Sequence, residues 1–496
     1  MKKLKEIKPY QVLLFTAGVL FILAPVMLFI PEEGWDINCM KIRFLSKEKL
    51  LHPIKQETAD ISNIIAAVDT VMMETEDVLV QHENKSNGDL GAPNGGEIIT
   101  ESTTNLEMNE IGLTRLHSFF EKLSSLSEKK SKLSILHYGD SQIEGDRMTN
   151  YIRERLQNQF GGYGPGTIPA TNVYNTYSFN QTYSDNFLRY ACFSRDERLQ
   201  SKKYGALGSA SRFTPDYELD TIDINSLETK TGWILIEASR KAYKRAREFN
   251  NVILHYTDCK AKTELRIYAG GTLIHEDTLI QDGKYHSIPL SFEKTPEPLK
   301  FEFKGKVSPN ICGFSLEGDY GVQVTNIGMR GSSGTIWGKI DHSTISPMFS
   351  QMNTELIILQ FGGNAIPFFT DSAKVDRYAR YFKSQINTVK KLRPNSTIVV
   401  IGPSDMSELV DGVRQSYKFL SYCVKTLKES SLETGSIYWD LFSAMGGANS
   451  MPAWVEQDLA AQDYIHFSNA GAKIASQFFY DALMAEYGQW ARANSK

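Results

Sequence analysis

Apolar and polar positions fall into three regimes along the chain. The first is an uncharged run of twenty residues from Gln11 to Ile30, QVLLFTAGVLFILAPVMLFI. At a rise of about 1.5 Å per residue, such a helix is about 30 Å long, the thickness of a bilayer's hydrocarbon core. It is apolar on every face, which argues against a buried soluble helix, and Pro25 is tolerated in a spanning helix. Lys2, Lys3, Lys5 and Lys8 precede the run, while Glu32, Glu33 and Asp36 follow it. The basic end stays in the cytoplasm, so residues after 31 are expected outside, in the periplasm where a cell has two membranes. A cleaved signal peptide fits less well, because the run exceeds the usual apolar region and no Ala-x-Ala site follows. The expectation is a single-pass membrane protein with residues 1–31 as cytoplasmic tip and anchor.

Residues 32–105 form the second regime and read as a stalk and linker. They show no strong periodicity beyond an amphipathic patch around Ile61 to Val80, which suggests a stalk helix. From Glu83 to Asn105 the chain is rich in Gly, Asn, Ser and Thr. That composition cannot bury a core and reads as a flexible tether.

In the third regime short apolar runs alternate with helical patterns. Leu133 to Tyr138 (LSILHY) predicts a strand, and Gly139-Asp140-Ser141 a turn. Met148, Ile152, Leu156 and Phe160 then recur every fourth residue up to a Gly161-Gly162 stop, the period of a helix. The alternation returns with a strand at Leu356–Phe361 and a helix at Asp371–Leu392. A strand at Ser396–Ile401, a helix near Leu409–Lys428, a strand at Ser436–Leu441 and a last helix at about Gly471–Tyr487 follow. Strands alternating with helices imply a parallel sheet covered on both faces. Between them, seven short runs rich in β-branched and aromatic residues recur about every ten residues, from Trp233–Ala238 to Ile311–Leu316. That pattern predicts a β-sandwich over 196–320, inserted into an α/β domain made of 106–195 and 321–496.

Composition narrows the function classes. At 41% hydrophobic and 23% charged the chain is a globular protein, and its net charge of -4 gives no basic excess for nucleic acid. The five cysteines are scattered, with no Cys-x-x-Cys pair, which argues against a zinc site or a disulfide framework. One pairing, for instance Cys259 with Cys312, stays open in an oxidising compartment.

Four segments at strand ends carry candidate chemistry. In Gly139-Asp140-Ser141 a serine sits on a sharp strand-to-helix turn, near a helix N-terminus that favours an oxyanion. Asn326 to Gly331 follows the run Tyr320–Thr325, and a glycine there lets a backbone N–H approach a substrate. Gly362-Gly363-Asn364 follows a buried strand, where an amide can donate to a developing negative oxygen. In Asp463-Tyr464-Ile465-His466 the histidine is a base for a hydroxyl, and the aspartate three residues earlier holds its tautomer. Each segment alone is commonplace: a capping serine, two ordinary turns and a surface histidine. Their joint occurrence in this order is not.

Together the four segments resemble the blocks of the SGNH (GDSL-type) hydrolases. The resemblance implies a flavodoxin-like three-layer α/β/α fold with Ser141 as nucleophile, His466 as base and Asp463 as its orienter. Ser141, Gly331 and Asn364 would form the oxyanion hole, with no cofactor or metal. Ala365 stands where the third block usually has an aspartate. The longer run HYGDSQIEGDRMT, with FGGYGPG after it, is similar to envelope O-acetylesterases and O-acetyltransferases acting on peptidoglycan or exopolysaccharide, some with an inserted carbohydrate-binding sandwich. The implied function is a membrane-anchored serine esterase removing O-acyl groups, O-acetyl above all, from a carbohydrate polymer. The implied partners are the membrane and an acylated polysaccharide or peptidoglycan. The alternatives are an O-acetyltransferase with the same site, working beside a membrane acyl-transfer partner, or an inactive glycan-binding protein.

Secondary candidates remain. His137 is a second site histidine or a residue packed on its strand, and Trp454 with Asp458 is a candidate for lining the cleft. Trp233, Tyr256, Tyr268 and Phe292 suit sugar stacking, although sandwich cores are built from the same residue types.

Overall fold

Strands that are buried on both faces need no alternation of polar and apolar residues, and the runs LSILHY and LIILQF become such strands. The computed structural model describes residues 9–27, 35–37, 40–42, 58–65 and 105–494. The chain divides into two compact units, one of residues 1–57 with 409–413 and one of 58–408 with 414–496.

In the first unit a helix covers Pro9–Met27 and an antiparallel pair joins Trp35–Ile37 to Met40–Ile42. The described side chains of this helix, Leu13, Phe15 and Phe21 among them, are exposed. Among the described residues no helix is long and apolar enough to cross a membrane. The helix covers most of the apolar run at 11–30, whose last residues, 28–30, lie outside the described set.

The second unit is built on a five-stranded parallel sheet. In chain order its elements are α1 (Glu110–Ser124), β1 (Lys132–Gly139), α2 (Thr149–Phe160), β2 (Gly321–Gly328), β3 (Thr354–Gln360), α3 (Ser372–Leu392), β4 (Thr397–Ile401), α4 (Leu420–Leu432), β5 (Ile437–Trp439) and α5 (Asn469–Asn494). The strand order is β2-β1-β3-β4-β5, parallel throughout. Successive side chains point to opposite faces, so Leu133 and Ile135 join one core with α1, α2 and α5. Leu136 and Tyr138 join the other, with α3 and α4. The result is the expected three-layer α/β/α arrangement. Asn109 starts α1 by accepting from Gly112 N at 3.0 Å, and Asp371 starts α3 by accepting from Lys374 N at 3.0 Å.

Between α2 and β2 the chain forms two packed antiparallel sheets. One has five strands ordered 272–278, 263–269, 299–305, 230–238 and 179–183. The other orders 286–291, 251–257, 310–317, 209–212 and 188–191, with 166–168 joined to 310–317. A third core lies among them, with Phe301, Phe303, Phe314 and Leu254 fully buried. Its strands start at Gly166, ahead of the expected residue 196, because 166–191 pairs in both sheets.

Two local expectations are corrected, and the cysteine pairing left open is answered. The helix expected near Leu409–Lys428 is instead strands Ser407–Val410 and Val413–Ser416 followed by α4, since Asp411-Gly412 takes positive φ at both residues, the geometry of a hairpin turn. Part of the expected stalk is docked rather than free: Ile61 and Ile64 are buried in the α1, α2 and α5 core, and Ala59 N donates to Asn449 O. The remainder of the patch to Val80, and the tether up to residue 104, lie outside the described residues. Cys259 and Cys312 are separate buried thiols, as are Cys192 and Cys423.

Candidate active site

In the order β2-β1-β3 the chain runs from β1 to β2 on one side and then crosses to β3 on the other, and open parallel sheets bind ligands outside the strand ends at such a switch point. All four candidate segments end on this rim or close to it. Gly139 closes β1, where a Cβ would stand 2.9 Å from the Ile143 side chain and 3.0 Å from Gln360 O. A side chain there would crowd Ile143 and the β3 backbone, and Ser141 follows. The helix expected on Met148 to Phe160 is α2, but it starts at Thr149, after a short 3-10 turn over Glu144–Asp146, so its N-terminus does not abut Ser141. Ser141 therefore lies on the turn itself and caps no helix. The Asp146 carboxylate pairs with Arg153 at 2.7 Å in the interior.

Residues 325 positions apart meet at this turn. Ser141 Oγ lies 2.8 Å from His466 Nε2, and His466 Nδ1 lies 2.7 Å from Asp463 Oδ2. The other oxygen, Asp463 Oδ1, accepts from the backbone N–H of Ile465 and of His466 at 2.9 and 3.0 Å. Partial burial pushes the Asp463 carboxyl up, but the hydrogen bonds from the His466 ring and backbone outweigh this and hold it below its ordinary value. An ionised Asp463 accepts from Nδ1–H, which leaves the Nε2 lone pair for the Ser141 hydroxyl. The turn that brings this about puts Tyr464 at φ 60°, a left-handed backbone for a bulky side chain.

Two residues not singled out in the sequence hold this pair together. The Gln142 side-chain amide donates to Ile465 O at 2.7 Å and accepts from Phe467 N at 3.3 Å, bracketing His466 on both sides. Arg147 donates to Ser141 O at 2.6 Å, to Glu144 O at 3.1 Å and to Phe467 O at 3.4 Å. Both lie in the quoted run HYGDSQIEGDRMT, the one signal that pointed to them.

Gly331 and Asn364 line one cleft, and the Asn364 side chain hydrogen-bonds Asp140, the residue before Ser141. Gly331 has φ 78°, and a Cβ there would meet nothing within 4 Å, so the backbone borders open space. Asn364 Nδ2 donates to Ser332 O at 3.3 Å, linking the β3 loop to the β2 loop. Asp140 beneath them is buried, which raises its carboxyl to about 6 despite hydrogen bonds from Gln142 N–H and Asn364 and the nearby charges of His466 and Arg147.

The two secondary cleft candidates belong to the interior. His137 is fully buried between Gln360 Oε1 and Thr149 Oγ1, each at 2.9 Å, and burial lowers its pKa to about 4. Trp454 is fully buried too, its Nε1 donating to Met445 O at 3.0 Å and its ring 5.1 Å from Phe467. It props the histidine loop from below. In the sandwich Tyr256 is core, whereas Lys300 lies over both Trp233 and Tyr268 on a half-buried sheet face. Among the described residues no group of His, Cys, Asp and Glu gathers to hold a metal ion.

Chemically, the arrangement offers a hydroxyl hydrogen-bonded to a base, a carboxylate that fixes the base, and an open cleft alongside. No protein-family model matches the sequence, and no curated protein does. Among solved structures the chain is similar to a peptidoglycan O-acetylesterase, with a TM-score of 0.60 at 18% identity, covering 77% of this chain and 99% of that one. It also matches a family two carbohydrate esterase from Clostridium thermocellum in complex with cellohexaose, with a TM-score of 0.24 at 10% identity, covering 63% and 100%. The first of these likenesses shows a shared fold over nearly the whole length of the O-acetylesterase.

Proposed function

We propose that this chain is a serine esterase that removes O-acetyl groups from a carbohydrate polymer outside the cytoplasm. The observation that carries the reading is the hydrogen-bonded series Ser141–His466–Asp463 at the switch point of the sheet. Ser141 Oγ attacks the ester carbonyl while His466 takes its proton. The tetrahedral oxyanion is held by the Ser141 and Gly331 N–H groups and the Asn364 amide. His466 returns the proton to the departing sugar oxygen, and water then resolves the acyl-enzyme by the same route. The fold shared with a peptidoglycan O-acetylesterase supports the substrate class.

The test is turnover of a small acetyl ester and of an acetylated glycan. Ser141→Ala and His466→Ala each abolish acetate release while the protein keeps its melting temperature. Asn364→Ala costs about 2.7–4 kcal/mol of transition-state stabilisation, the size of one oxyanion donor. Near wild-type turnover in Ser141→Ala overturns the assignment. The apolar N-terminal run, with lysines before it and carboxylates after it, supports an anchor whose basic end is cytoplasmic. The full chain then sediments with membranes at high salt and is released only by detergent; release by salt alone removes the anchor.

A further inference from the structure

A cleft of about 910 Å³ leads away from Gly331 and Asn364 along α3. Two of its aromatic side chains, Phe368 and Tyr381, are 74% and 54% exposed and so open to a ligand in the cleft. A third, Tyr378, is fixed by donating its hydroxyl to Ser333 O at 2.8 Å, and Phe369 packs on it at 5.8 Å. The wall is therefore partly rigid and partly presented to solvent. Flat rings suit the C–H faces of pyranoses.

The cleft also carries charge of one sign. Lys374, Arg377 and Arg380 recur every third residue on α3 and line it, all exposed. Val375, Ala379, Phe382 and Ile386 take the opposite side of α3 into the core. Nearby carboxylates are engaged otherwise: Asp371 caps α3 through Lys374 N, close enough to feel Lys374 and Arg377, and Asp376 accepts from Tyr422. Three such cations in one cleft stand out in a chain of net charge -4, and local charge of this kind concentrates anions in a cleft.

We propose that this cleft seats a glycan strand carrying carboxylates, as in uronic acid residues, with its sugar faces on Phe368 and Tyr381 and its carboxylates on Lys374, Arg377 and Arg380. The inference deepens the esterase reading and rests on it: an acetyl group on the seated strand lies at the Gly331 and Asn364 end, next to Ser141.

The test uses the full chain in detergent and two acetylated polymers matched in ester content: polygalacturonate, and the same polymer with its carboxylates reduced to alcohols. The wild type prefers the anionic polymer in kcat/KM by about tenfold, and 0.5 M salt erases the preference because exposed charges are screened. In Lys374→Gln/Arg377→Gln/Arg380→Gln the ratio falls to about one, through KM, while Arg377→Lys/Arg380→Lys retains it. Calorimetric binding of non-acetylated polygalacturonate gives a second readout that needs no turnover, and the triple variant binds it about tenfold more weakly, about 1.4 kcal/mol. A wild type that prefers the neutral polymer, or a triple variant that keeps both ratio and binding, overturns the cleft assignment. Binding that depends on the three cations in a protein that cleaves no ester overturns the esterase reading and leaves the cleft.

Discussion

At the scale of single residues, what distinguishes this site is how His466 is held. Gln142 bonds the residue before it and the residue after it, so the imbalance from losing that amide falls on the ring between them. A displacement of about 1 Å at a catalytic group is worth about 10²-fold in rate. Gln142→Ala is thus expected to lower kcat on a small acetyl ester by about that factor with little change in KM, while Gln142→Glu, which cannot donate to Ile465 O, recovers little of it. Steady-state kinetics check this, and an unchanged kcat in both variants removes the positioning role. Ser141, Asp463 and His466 were legible as candidates because Gly-Asp-Ser and Asp-x-x-His are short motifs whose residue types carry the chemistry. Gln142 and Arg147 were not, because they act on backbone carbonyls and amides, most of them more than three hundred residues away, and no residue type announces such a bond. His137 and Trp454 were misplaced for a related reason: proximity to a motif in the chain does not say which face of a strand or helix a side chain takes.

At the scale of elements, the parallel strands were readable because burial on both faces leaves a continuous apolar run, and the sandwich strands because turn residues separate them. The hairpin after Ser407 was misread as helix, since four-residue strands about an Asp-Gly turn are too short to show a period. The amphipathic patch at Ile61 was visible but the docking of residues 58–65 was not, because an apolar face does not say which surface it packs on. Both isoleucines are nevertheless buried, Ile61 at 5% and Ile64 at 4% exposure. Removing either side chain to alanine is expected to cost about 2–4 kcal/mol, the range for buried isoleucine. By the same argument a chain starting at residue 105 melts below one starting at 58, because the second fills a groove that the first leaves wet. Differential scanning calorimetry of the two separates the cases, and equal melting temperatures would falsify a stabilising role for this segment.

For the molecule as a whole, buried titratable groups set how stability responds to acid. His137 and His255 are both fully buried; burial lowers them from 6.5 to about 4 and about 3, with the charge of Arg153 adding to the first. His255 is held neutral between Tyr285 Oη and Ser315 Oγ, each at 2.8 Å. Below pH 6.5 the unfolded chain binds protons at both positions and the native state does not, so stability falls with pH until each folded value is reached. Asp140 acts in the opposite sense. Its folded value of about 6 lies above the ordinary 3.8, so the native state takes up its proton first and gains stability as pH drops through 6. At about 1.4 kcal/mol per pH unit, each histidine has lost about 2 kcal/mol at pH 5 while Asp140 has gained about 1. The two histidines outweigh Asp140; Asp405, which burial also raises, sides with Asp140, while Asp463, held below its ordinary value, adds to the loss at still lower pH. The melting temperature is therefore expected to fall between pH 7.5 and pH 5 at constant ionic strength. His255→Gln keeps a hydrogen-bonding side chain but cannot titrate there, so its fall over the same interval is smaller than that of the wild type. If His255→Gln falls as much as the wild type over this interval, His255 is protonated in the native state and its buried neutral form is wrong.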